Sequence, residues 1–220
     1  VHDPALTPDD LLFDFGITAL GASFHGDWLL DADSEQEHIA SVTASTEHGI
    51  LGQSLLVEDV LRLRDSALTG PEIAALWALT NRDAFDGSPS IEGRERPWLD
   101  EVLAVVTPVI RAYGAPSAQW TTVPPCPPGH AHRHLAGEVT ALLNELTPRQ
   151  DAGVTSATAT AALTRCAELV CSELAFRFAL RAFGAFEARI SRELYERLER
   201  LGERFGYGEY LVDEVNHLVE

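Results

Sequence analysis

Between Thr155 and Phe183 the chain is apolar on most sides of a helix, with Leu163, Ala167, Val170, Leu174, Phe178 and Leu180 set among alanines and few charges. A helix apolar nearly all round has no solvent face and belongs inside a bundle. The spacing predicts one long helix over 155–183, the core of the C-terminal half, and it obliges the rest of the chain to supply helices that cover it. On it Glu173, Arg177 and Arg181 stand at four-residue intervals, so the acid can pair with the first arginine while the second needs a further partner. We expect these arginines at the rim; an inward-facing one would make a docking or structural ion-pair site.

Helix punctuation recurs elsewhere. Thr7-Pro8-Asp9-Asp10 combines a cap, a proline at the first helical position and two carboxylates at the positive dipole end, ahead of Leu11, Leu12 and Phe15, with Gly16 to end the turn. Ser34 to Glu37 and Thr69 to Glu72 read as capping boxes, opening runs that carry Ile39 and Val42, and Ile73, Leu76 and Trp77. Leu56, Val57, Val60, Leu61 and Leu63 follow helical spacing between them. Pro97 opens a helix over Trp98 to Tyr113, bent at Pro108 and ended by Gly114. Leu135, Val139, Leu142 and Leu146 mark a helix stopped near Pro148, Ser191 caps one through Phe205, and Leu211, Val215 and Leu218 suggest a last short one. No alternating strand pattern competes, so the fold class is all-α, a helical bundle. The stretch from Gly114 to Gly129 holds five prolines and little periodicity. It divides the chain into two helical lobes, 1–114 and 129–220, joined by a Pro-rich connector at 115–128.

Composition excludes several functions. With 34 Asp and Glu against 16 Lys and Arg, the formal charge of −18 repels nucleic acid and anionic membrane and attracts basic partners. All the basic residues are arginines, so lysine chemistry such as Schiff bases or a phosphate-loop lysine is absent. Cys126, Cys166 and Cys171 make an odd set without a CxxC, which argues against a disulfide framework. The N-terminal residues are acidic where a signal peptide is basic, and no apolar run reaches membrane-spanning length, so the expected location is the cytoplasm.

Few constellations could carry chemistry. Cys126, His130, His132 and His134 lie within nine residues and are all acceptable to zinc. On a helix from about His130, however, only His130, His134 and Glu138 align, too few for a closed metal site. Two ExxH spacings, Glu35/His38 and Glu214/His217, match the way di-iron bundles present ligands, but no glutamates from two further helices are identifiable. The run from Asp31 to Glu37 resembles the start of a calcium loop, with Gln36 in place of the required glycine. These residues leave one enzymatic alternative, an all-α metal-dependent oxidase or hydrolase built on Cys126, His130, His134 and Glu138. No cofactor is expected. A third possibility is a helical scaffold that pairs with itself.

The stretch GASFHGDW, residues 21–28, sets His25 and Asp27 too close in sequence to orient one another, so Phe24 and Trp28 read as an apolar edge, with His25 and Asp27 bonding nearby backbone or capping the next turn. From Leu20 to Ser45 the chain resembles the opening of contact-dependent growth inhibition immunity proteins. Phe24, His25, Asp27 and Trp28 match that family's aromatic-Phe-His-x-Asp-Trp motif, Ser23 departs from its first aromatic, and Ser34 and Glu37 match its next helix start. The likeness extends over roughly residues 10–112, including Pro97-Trp98-Leu99, and does not cover the half after Gly114. The resemblance implies a small α-helical, non-catalytic protein that neutralises a toxin domain by binding it. Many such toxins are basic nucleases, which an acidic inhibitor complements. On local charge, the candidate contact residues are Asp31, Asp33, Glu35, Glu37, Asp83 and Asp86.

Overall fold

A computed structural model describes residues 13–44, 49–80, 89–123, 135–150 and 152–220. Among these the chain is helical without strands: α1 (Gly16–Ser23), α2 (Trp28–Asp31), α3 (Glu35–Ala44), α4 (Gly49–Arg64), α5 (Gly70–Ala78) and α6 (Glu95–Ala112) precede the connector. After it come α7 (Ala136–Leu143), α8 (Ser156–Leu169), α9 (Ser172–Ala185), α10 (Arg192–Phe205) and α11 (Glu209–Asp213), with short 3-10 turns at Pro116–Gln119 and Asn216–Leu218. The all-α bundle expected from the spacing is the fold observed. No described helix is long and apolar enough to cross a membrane.

The caps form largely where the sequence places them. The Thr69 backbone N–H donates to Glu72 Oε2 at 2.7 Å and the Leu194 N–H to Ser191 Oγ at 3.1 Å; Thr155, not read as a cap in the sequence, also caps its helix, accepting from the Thr158 N–H at 3.2 Å. At Ser34 the reciprocal bond shifts by one residue, Glu37 accepting from the Asp33 N–H at 3.0 Å. Pro108 lies inside α6 on its exposed side, and so does Ala104, whose carbonyl loses its usual donor to the proline ring and faces water instead.

Three expectations need correction. The long helix over 155–183 is two helices, interrupted where Cys171 adopts an extended backbone with φ −160° and ψ 124°. A single rod apolar on all sides would need neighbours along its whole length; the break lets α9 fold against α8, so each covers part of the other. Gly16 does not end a helix but begins α1, with φ of +64°. The backbone there presses so closely on α4 that a Cβ would sit 2.0 Å from Asp59 Oδ2. The helix expected from about His130 is described only from Ala136. The Thr7 to Leu12 start, the end of the connector (124–128) and residues 129–134 lie outside the described residues.

The buried apolar side chains from Phe15 to Leu218 form one cluster, to which residues on both sides of the connector contribute. Helix α5 packs against α8, and Glu72 of α5 pairs with Arg165 of α8 at 2.5 Å. The first turn of the connector is fastened to α4 by Ser117 Oγ and Ser54 Oγ, 2.6 Å apart.

Candidate functional site

Helix α1 is short because Ser23 and Phe24 turn the chain, and the turn delivers the aromatic residues of the 21–28 stretch inward. Gly21 allows it: α1 lies so near the end of α5 that a Cβ at this position would be 1.8 Å from Thr80 Oγ1. Phe24 is fully buried, with Trp28 edge-on at 5.3 Å between ring centroids and Trp77 at 5.9 Å. Trp77 in turn meets Trp98 at 4.2 Å, which joins the turn after α1 to α2, α5 and α6 through one aromatic chain. Such contacts add about 0.5–1.5 kcal/mol per pair beyond area burial.

His38 of α3 closes this cluster, 4.5 Å from the Phe24 ring and 5.4 Å from Trp28. Its Nε2 lies 3.0 Å from Ser23 Oγ, while the Ser23 hydroxyl donates to the Leu20 carbonyl at 2.7 Å. The hydroxyl proton is thus committed to Leu20, so the imidazole donates from Nε2 and Ser23 is not activated as a nucleophile. Burial lowers the His38 pKa, outweighing the hydrogen bond to Ser23, and keeps the ring neutral. The sequence marked His38 only as the second half of an ExxH pair. Its partner Glu35 is turned to α6, taking Arg94 Nη2 at 2.6 and 2.8 Å and Trp98 Nε1 at 3.2 Å, so the pair does not converge on a metal.

His25 and Asp27 are both exposed. Asp27 occupies the N-cap position of α2, yet its carboxylate makes no cap bond; the contact within the pair is a long one of 3.4 Å from the Asp27 N–H to His25 Nδ1. Of the two roles expected for the pair, the cap by Asp27 is absent, while His25 takes a nearby backbone N–H. Next to them Leu29 and Leu30 stand 55% and 83% exposed, and Asp31, Asp33 and Glu37 are exposed around them. The two leucines carried no signal in the sequence, since an apolar pair beside a buried tryptophan reads as core. Asp83 and Asp86 lie outside the described residues, as do Cys126, His130, His132 and His134; Glu138 is exposed and pairs with Arg204. Among the described residues no group of histidine, cysteine and carboxylate side chains is arranged to hold a metal ion. Burial pushes the Cys166 thiol well above its ordinary pKa, which leaves it a core residue.

The second polar cluster is internal, and it corrects the rim placement of Arg177. This guanidinium is 1% exposed and stacks over Phe15 at 4.1 Å. Its Nη1 and Nη2 reach Asp59 at 2.9 and 2.8 Å, its Nε and Nη2 reach Glu173 at 2.7 and 3.2 Å, and Nη1 also donates to the Phe15 carbonyl at 2.9 Å. All five N–H donors of the fork thus have acceptors. The Tyr207 hydroxyl donates to the same Glu173 carboxylate, and the Ile17 N–H donates to Asp59 Oδ2 at 3.0 Å. Desolvation disfavours the Arg177 charge, but the two carboxylates outweigh it and raise the pKa well above the usual value. Arg181, one turn on, binds Asp14 and Glu214. All five donors of the Arg177 fork are matched by acceptors of α1, α4 and α9, so the cluster serves as a structural tie between these helices.

Comparison with protein-family models, curated proteins and solved structures found no match to this chain.

Proposed function

We propose that this chain is an immunity-type binding protein that neutralises a basic, nuclease-like toxin domain by forming a tight complex with it, and that its α2 corner is the contact surface. The observation that carries the reading is the apolar pair Leu29 and Leu30, exposed between Asp27, Asp31, Asp33 and Glu37. A desolvated apolar anchor inside a charged rim is the usual anatomy of a specific interface. The rim and the overall charge of −18 supply the long-range attraction to a basic surface. Glu35 has a different role, since its carboxylate holds Arg94 and Trp98 and so fixes the start of α3 beneath the rim. The resemblance of residues 20–45 to growth-inhibition immunity proteins points the same way.

The test is co-purification of the full chain with the C-terminal domain of a large secreted protein encoded beside it, followed by kinetics across a salt series. Reversing Asp31 and Asp33 to arginine should slow association, and raising salt should do the same to the unaltered chain. Leu30→Ala should instead speed dissociation, by roughly tenfold or more. Absence of a complex overturns the proposal; a complex whose association ignores both salt and the charge reversals overturns the steering argument.

A further inference from the structure

We infer that the chain binds a small aromatic molecule carrying one N–H or O–H donor, of the phenol or indole class, in a pocket between α1, α3 and α4 that is separate from the α2 corner. The pocket has a volume of about 190 Å³ and is walled by Phe15, Leu20, Val42 and Leu56, with Phe13 at its mouth and Gln53 in its lining. Phe13 is 47% exposed and is held by stacking on Tyr210, 5.3 Å between centroids. An apolar cavity of roughly 150 Å³ is enough to take benzene, so this one admits a ring of one or two fused cycles.

Gln53 specifies the donor. Its side chain is 4% exposed and its Nε2 donates to the Thr43 carbonyl, while its Oε1 is buried without a partner. Flipping the amide does not relieve this, because Oε1 would then face the Thr43 carbonyl, two acceptors together. A buried acceptor left unmade costs about 1–3 kcal/mol. The other polar groups of the lining are already engaged, Asp14 by Arg181, Thr18 and the Phe15 N–H, and Thr43 by the Ile39 carbonyl and Gln53, so the unpartnered acceptor favours a ligand that brings a single donor. The terminal torsion of glutamine is broad, so a small tilt of the amide presents Oε1 to such a donor while Nε2 keeps Thr43. One polar group placed in a concave apolar lining is how small-molecule sites fix orientation.

The test compares indole with 1-methylindole, which has the same ring system but no N–H, by calorimetry and ligand-observed NMR on the full chain. Indole should bind about tenfold more tightly. Gln53→Leu should bring indole down to the affinity of 1-methylindole, and Ala19→Phe, which fills the pocket from α1 and leaves Gln53 unsubstituted, should abolish binding of both. Equal affinities on the unaltered chain overturn the role of Gln53. Failure of either ligand to bind at millimolar concentration, or binding that survives Ala19→Phe, overturns the site. If Gln53→Leu does not fold, the ligand pair and the Ala19→Phe variant decide the matter.

Discussion

Replacing Arg177 by methionine is the sharpest probe of how this bundle is held together. Methionine keeps much of the aliphatic volume over Phe15 but removes five donors at once, leaving Asp59, 3% exposed, and Glu173, 7% exposed, as buried carboxylates without their cation. Breaking a buried pair from one side costs about 3–5 kcal/mol, because the remaining charge is uncompensated. For a chain of this size each kcal/mol moves the melting temperature by roughly 2–4 °C, so a fall of roughly 6 to 20 °C is expected. Urea denaturation with the same variant should lower the midpoint at unchanged slope. Asp59→Leu in the Arg177→Met background should then cost far less than Asp59→Leu alone, a coupling of about 1–3 kcal/mol, since the acid no longer has a partner to lose. A loss below about 1 kcal/mol for Arg177→Met, the range of an exposed pair, would refute the reasoning.

Two further predictions concern the aromatic cap. Trp28→Ala, at a ring only 5% exposed and packed on Phe24, should destabilise the fold by about 3–5 kcal/mol in chemical denaturation, and a loss typical of a surface site would contradict its burial. His38 titrates near 6.5 when unfolded and lower when folded, so the unfolded chain binds more protons in that window. Stability should therefore be full above about pH 6.5 and decline as the pH falls through the folded value. His38→Gln should flatten that part of the stability profile, and an identical slope in the variant would remove His38 as its source.

What the sequence makes legible here is local. Thr69 and Ser191 cap where their spacing says, because a cap is settled by residues three positions apart. The break at Cys171 is not legible, since no glycine or proline marks it; it follows from the need of α8 and α9 to cover each other. Arg177 looks like half of an exposed helix pair with Glu173, and only Asp59, 118 residues away, turns it inward. Glu35 and His38 fit a metal-binding spacing, but burial and hydrogen bonding send one to α6 and the other to α1. In the acidic stretch the carboxylates could be picked out by charge, whereas the exposure of Leu29 and Leu30 depends on the way Trp28 anchors a four-residue helix.

The reach of the Arg177 fork also sets an order of events during synthesis. Asp59, the Phe15 carbonyl and Gly16 are made more than a hundred residues before the arginine they enclose. At roughly 5–20 residues per second, the nascent α1 and α4 wait on the order of 6 to 24 s with that carboxylate in water. Until Arg177 emerges, close approach of the two helices would bury an unpaired charge. Native packing of α1 on α4 around Asp59 is therefore expected only once the second half of the chain has been made.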